Sequence, residues 1–165
     1  ADPAAEMPAC VLCLEGEIEI TGATDVRKVA AADYFKDLYE TDLQDGEIVT
    51  AVEVPVIQDG ERHAFDELAR RHGDYAMVGL AAKASVSSGA LSGVRLSYLG
   101  VGGTPVMAAN ASAALEGTLS DGMIAAAQAA LDQDLDPFDD VSCSGATKQH
   151  LAKVLLERVA RQLAA

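Results

Sequence analysis

The chain has 165 residues, half of them hydrophobic, with no tryptophan and a formal net charge of −14. That length fits one domain, or one small domain with a piece of another, and the core must be built from Ala, Val, Leu and Ile. The acidity argues against a nucleic-acid backbone or an anionic membrane as partner and fits a docking face for a basic partner subunit.

The opening stretch "ADPAAEMPA" has no initiating Met and is expected to be the processed or cut edge of a longer chain. Pro8 suits the first turn of a short helix in "PACVLCLEG", ending near Gly16. "EIEITG" alternates and predicts a strand closed by Gly22. "RKVAAADYF" predicts a short extended piece leading into a turn. In "EIVTAVEVP", Ile48, Thr50, Val52 and Val54 are expected on one face of a strand that Pro55 stops.

"GERHAFDELARR" predicts the next strand. In "AMVGLAAKASV", Val78, Leu80, Ala82, Ala84 and Val86 fall on one face; after the turn "SSGA", Val94, Leu96 and Tyr98 do the same, with Arg95 and Ser97 opposite. Residues 62–99 therefore predict a three-stranded antiparallel meander. "GVGGTP" breaks the pattern. Three helices should follow: "AANASAALEG", "SDGMIAAAQAALDQ" with Ser120 as N-cap, and "TKQHLAKVLLERVARQLA". The last carries an apolar stripe of Leu151, Val154, Leu155, Val159 and Leu163, with Lys153, Glu157 and Arg161 spaced for exposed pairs. Strands followed by a run of helices give an α+β class.

Little in the chain has the spacing of a catalytic or metal centre. Cys10 and Cys13 form a C-x-x-C, but no second pair exists to complete a zinc site and no βαβ context surrounds it. On a helix the two share a face and pack as small hydrophobes. With Cys143 they do not make a disulfide framework; without a signal-like segment, the expected compartment is a reducing cytoplasm. No apolar run is long enough to span a bilayer. His63, His72 and His150 are scattered and read as surface or turn histidines. "GVGGTP" lacks a P-loop lysine and the G-x-G-x-x-G spacing, and reads as a turn. The densest chemistry is "RRHGDYA", with Arg70, Arg71, Asp74 and Tyr75. Either Asp74 caps a turn and pairs with an arginine, or the stretch borders a ligand pocket. No nucleophile–base pair is evident, so a self-contained active site is not expected.

Several stretches in order, "ADPAAEMPA", "ADYFKDLYETDLQDGEIVTAVEVP", "RRHGDYAMVGLAA", "GVGGTPVMA" and "SGATKQHL", resemble the flavoprotein (medium) subunit of the molybdenum hydroxylases. These include carbon monoxide dehydrogenase, xanthine dehydrogenase and aldehyde oxidase. The resemblance implies an FAD-binding subunit that takes electrons from two [2Fe–2S] clusters and passes them through the flavin to an acceptor. The implied partners are a molybdopterin-binding large subunit and a [2Fe–2S] small subunit. It implies that residues 1–57 are the end of a two-part FAD-binding region. Residues 60–165 are then a C-terminal domain with a three-stranded antiparallel sheet and a three-helix bundle. The glycine-rich loops that cradle the pyrophosphate are expected before residue 1, so this chain should carry only part of the flavin site.

The same resemblance implies site residues. Glu6 matches an acidic position that helps hold FAD, Val49 an aliphatic position against the cofactor. Arg70, Arg71, Asp74 and Tyr75 match a loop beside the flavin ring, where charges tune the ring and gate access. Tyr75 would be a flat wall near it. Two departures stand out: Asp66 replaces a lysine that contacts FAD in several relatives, and Thr147–Lys148 replace a Tyr-Arg pair. The alternative of a different class is a flavin-free α+β module that bridges subunits.

Overall fold

The structure, a computed structural model, describes residues 1–71 and 73–165; His72, and the surface-histidine expectation attached to it, lie outside the described residues.

Helix α1 (Glu6–Cys13) places Pro8 in its first turn, where a missing N–H leaves no intrahelical bond unmade. Strand β1 (Glu17–Thr21) follows and lies between β2 (Val26–Ala30) and β5 (Ile48–Glu53) in an antiparallel sheet. Between β2 and β5 come a single helical turn, α2 (Ala31–Tyr34), and a small hairpin of β3 (Phe35–Asp37) and β4 (Glu40–Thr41). Ile18 and Ile20 of β1 are buried with Val11, Leu12, Ala31 and Tyr34. The expected apolar face of β5 needs correction. The ladder with β1 skips Thr50, where the register shifts, so the alternation breaks there. Ile48, Val49, Val52 and Val54 are all exposed.

The expected meander is present as β6 (Glu61–Ala69), β7 (Ala76–Ser87) and β8 (Ala90–Leu99). Two short strands, β9 (Val106–Met107) and β10 (Gly117–Thr118), add to β8 and make a five-stranded sheet. Val78, Leu80, Ala82, Ala84, Val94, Leu96 and Tyr98 form the main core with helices α3 (Ala109–Ala114), α4 (Asp121–Asp134) and α5 (Gly145–Ala164). Ser120 caps α4 as expected, accepting from the Met123 N–H at 3.3 Å. On α5 the buried stripe is Ala152, Leu155, Leu156, Val159, Ala160 and Leu163, while Leu151 and Val154 are only half-buried. Lys153 pairs with Asp132 at 2.7 Å, and Arg161 joins Glu157 and Asp121, each at 2.9 Å.

The opposite face of the sheet is covered too. Ala9 of α1 packs with Ala76 and Leu99. This is why β7 is buried on both faces and reads as a near-continuous apolar run. Gly79 is needed here: a Cβ on it would stand 2.7 Å from Leu99 Cδ2.

Candidate functional site

Between β6 and β7, three hydrogen bonds join Arg71, Asp74 and Tyr75. The Asp74 N–H donates to the Arg71 carbonyl at 3.2 Å. One Asp74 carboxylate oxygen accepts from the Tyr75 N–H at 3.1 Å, and the other receives Arg71 Nε at 3.3 Å. Asp74 thus caps its turn and pairs with an arginine. Arg71 and Asp74 largely cancel each other's charge. Arg70 does something else. Its Nη2 crosses to the segment before α5, donating to the Val141 carbonyl at 3.3 Å and also to the Ser142 carbonyl.

Arg70, Asp74 and Tyr75 line one open cleft of about 480 Å³. Its other walls come from four places: Asp2–Ala4, Tyr39 at the tip of the β3–β4 hairpin, Ala76 and Met77 at the start of β7, and Asp140–Ser142. The Tyr75 ring is 73% exposed. The N-terminal wall is pinned by main-chain bonds: the Gly100 N–H donates to the Pro3 carbonyl at 2.8 Å, and Tyr39 N–H to the Ala1 carbonyl at 3.2 Å. Gly100 has φ +79°, and a Cβ there would fall 2.5 Å from the Met77 carbonyl oxygen. The glycine of "GVGGTP" therefore serves close packing beneath the cleft, in keeping with a turn rather than a phosphate loop.

Glu6 and Val49 are not brought into this cleft. Glu6 is exposed at the start of α1. Its charge acts on Glu67, whose carboxyl is raised first by burial and then by Glu6 and Asp66. Glu67 Oε2 is buried and has no hydrogen-bond partner among the described residues. Val49 is 42% exposed on the edge strand β5. Asp66 is turned to α5, where Arg158 Nη1 lies 3.5 Å away. The C-x-x-C is reduced and packed. Burial drives the Cys13 thiol to about 12 and raises Cys10, with Glu6 adding to the latter. Among the described residues no group of three or more His, Cys, Asp or Glu side chains is placed to hold a metal ion.

Sequence reasoning missed Tyr39 and the two backbone walls. "ADP" carried a usable sign, an Asp that turns the chain by accepting the Ala4 N–H at 2.9 Å. Tyr39 carried none, since a non-glycine residue at φ 57° is not foreseen from its type.

Residues 63–163 match the family of the CO dehydrogenase flavoprotein C-terminal domain. The chain belongs to this family. Residues 1–57 match the FAD binding domain in molybdopterin dehydrogenase. Among curated relatives, the carbon monoxide dehydrogenase medium chain of Afipia carboxidovorans is 37% identical over 73% of this chain and 42% of its own length. The glyceraldehyde dehydrogenase medium chain of Sulfolobus acidocaldarius is 30% identical over 99% of this chain and 58% of its own. Reconstituted CO dehydrogenase from Oligotropha carboxidovorans superposes with a TM-score of 0.92 at 32% identity, over 99% of this chain and 57% of that one. Quinoline 2-oxidoreductase from Pseudomonas putida 86 gives 0.91 at 34% identity, over 99% and 57%. The chain thus spans about half the length of these members of the CO dehydrogenase flavoprotein family. Its α+β architecture is that of the family, and its first 57 residues belong to an FAD-binding domain.

The residues present fit one side of a flavin. The cleft offers an exposed aromatic face at Tyr75, a cation at Arg70 and room for a planar group. The glycines at 100 and 103 are turned against main chain or side chains of this protein and do not fit the role of a pyrophosphate cradle.

Proposed function

We propose that this chain is part of the FAD-binding subunit of a molybdenum hydroxylase, carrying electrons from [2Fe–2S] clusters through FAD to an acceptor. The observation that carries the reading is the convergence of Arg70, Asp74 and Tyr75 on one cleft, in a chain whose first 57 residues match an FAD-binding domain. Residues 1–57 are read as the end of that domain and 60–165 as the C-terminal domain. The partners are a molybdopterin-binding large subunit and a [2Fe–2S] small subunit, and the compartment is the cytoplasm, which suits three free cysteines.

FAD, when bound, supplies the electron-carrying chemistry; this chain supplies surroundings. Tyr75 presents a flat ring that stacks on an aromatic ligand and keeps water from one of its faces. The Arg71–Asp74 pair is nearly neutral, so the charges left on the rim are the Arg70 cation and the Asp2 carboxylate of the N-terminal wall. A fixed positive charge there stabilises electron density arriving on a neighbouring ring. Glu6 accepts hydrogen bonds from cofactor hydroxyls, and Val49 gives an apolar wall on β5.

The test is the flavin content of the protein purified with its associated subunits. Stoichiometric FAD supports the reading. A stable, flavin-free complex overturns it in favour of a subunit-bridging module.

A further inference from the structure

We propose that Lys148 is a positioning residue for the cleft: its buried ion pair with Asp140 holds the 139–143 loop on α5 as a latch, which Arg70 engages to fix the β6–β7 turn. As a statement about flavin, this rests on the reading above.

Lys148 sits in the first turns of α5 and is only 1% exposed. A buried cation is costly unless paired, and a helix N-terminus is an unfavourable place for it. Its Nζ donates to Asp140 Oδ2 at 2.6 Å and lies 4.9 Å above the Phe138 ring. The other Asp140 oxygen, Oδ1, folds the loop: it accepts the Ser142 N–H at 2.7 Å, the Cys143 N–H at 3.1 Å and the Ser142 hydroxyl. One carboxylate therefore joins α5 to a turn. That turn aims the Val141 and Ser142 carbonyls at Arg70.

Apolar packing does not do this work. The Val141 side chain is fully exposed, and Phe138 is half exposed. Burial alone would raise the Asp140 carboxyl. Lys148, the Ser142 hydroxyl and the two main-chain N–H groups instead hold it well below the usual carboxylate range. The chain of contacts runs from Lys148 to Asp140, to the loop carbonyls and to Arg70, which lines the cleft with Tyr75. Lys148 touches no ligand in this scheme. Cutting the first link leaves Asp139 Oδ1, which accepts the Gly145 N–H at 2.7 Å, as the loop's side-chain tie to α5, and leaves the Asp140 turn intact.

Hydrogen–deuterium exchange on the full chain tests this. In Lys148→Met, amides of 73–77 and 139–143 should exchange at least about tenfold faster, with 152–163 unchanged. Lys148→Arg, which keeps the ion pair, should restore wild-type exchange. Asp140→Asn gives the same loosening as Lys148→Met and serves where the Met variant does not fold. The latch is overturned if 139–143 loosens and 73–77 keeps its wild-type rate. It is also overturned if 152–163 accelerates in step, since that is general destabilisation. In the FAD-loaded complex, Lys148→Met should shift the flavin absorption band and raise KM for the acceptor. A loosened turn beside an unshifted flavin band would keep the latch and overturn the placement of flavin at this cleft.

Discussion

Arg95 of β8 donates from Nε to the Cys13 carbonyl at 2.9 Å and from Nη2 to the Leu12 carbonyl at 3.1 Å. The guanidinium thereby satisfies carbonyls at the C-terminal end of α1, which the helix itself leaves open. Glu15, just beyond the helix, is held by Lys83 at 2.8 Å and Arg95 at 3.4 Å. These contacts bind the start of the chain to the central sheet.

Arg95→Met should therefore release α1 first. Thermal melting should show a loss of about 1.5–3 kcal/mol, the range for hydrogen bonds to a charged group. Limited proteolysis should then cut faster near 13–16 than in the wild type. The wild type itself should be cut first in the exposed stretch after β5, where Val56 and Ile57 project into solvent.

Acid should weaken the protein through specific carboxylates. Arg27 grips Glu47 through Nε at 2.8 Å and Nη2 at 2.7 Å, and reaches Asp42 at 2.6 Å. Arg27 first, then the Gln44 N–H, lower the Glu47 carboxyl from its ordinary 4.5 to about 2. A depressed carboxylate contributes its full stability above the ordinary value and loses it as pH falls through the depressed one. Asp140 has the same sign from an ordinary 3.8. Urea midpoints should thus hold steady above about pH 5 and fall progressively below it. Glu47→Gln should flatten part of that fall. An unchanged acid limb in this variant would remove Glu47 from the account.

The core gives a graded pair. Leu155 is fully buried between α5 and the sheet, so Leu155→Ala should cost about 2–5 kcal/mol in chemical denaturation. The Tyr98 hydroxyl donates to the Ala152 carbonyl at 3.0 Å from a fully buried site. Tyr98→Phe removes that one bond and should cost about 1 kcal/mol. A Phe variant as damaged as Leu155→Ala would mean that the hydroxyl orders more than this contact.

The meander and the helices were legible in the sequence because their signals are local. Period-two runs marked β6 to β8, and Ser120 stood before its helix. What escaped depends on chain far away. The skipped Thr50 follows from cross-strand register, not from its own residue type. The turn of the α5 stripe toward Ala152, Leu156 and Ala160 follows from how α5 meets the sheet. Lys148 stands out in the sequence only as part of a departure from a Tyr-Arg pair; its burial needs Asp140, eight residues earlier in an irregular loop. For the site, the family resemblance singled out Arg70, Arg71, Asp74 and Tyr75. It gave no sign of Tyr39 or of the 140–142 wall, which the fold brings to the same cleft.

Tyr75, beside the turn that Asp74 caps, borders the flavin in this proposal. The direct measurement is stopped-flow reoxidation of the flavin in the assembled complex, comparing wild type with Tyr75→Ala, alongside the melting temperature of each. The side chain is exposed, so its loss should leave the unfolding free energy within about 0.5 kcal/mol of wild type while reoxidation by the acceptor changes several-fold. Reoxidation at the wild-type rate in Tyr75→Ala, with stability unchanged or lowered, would contradict it.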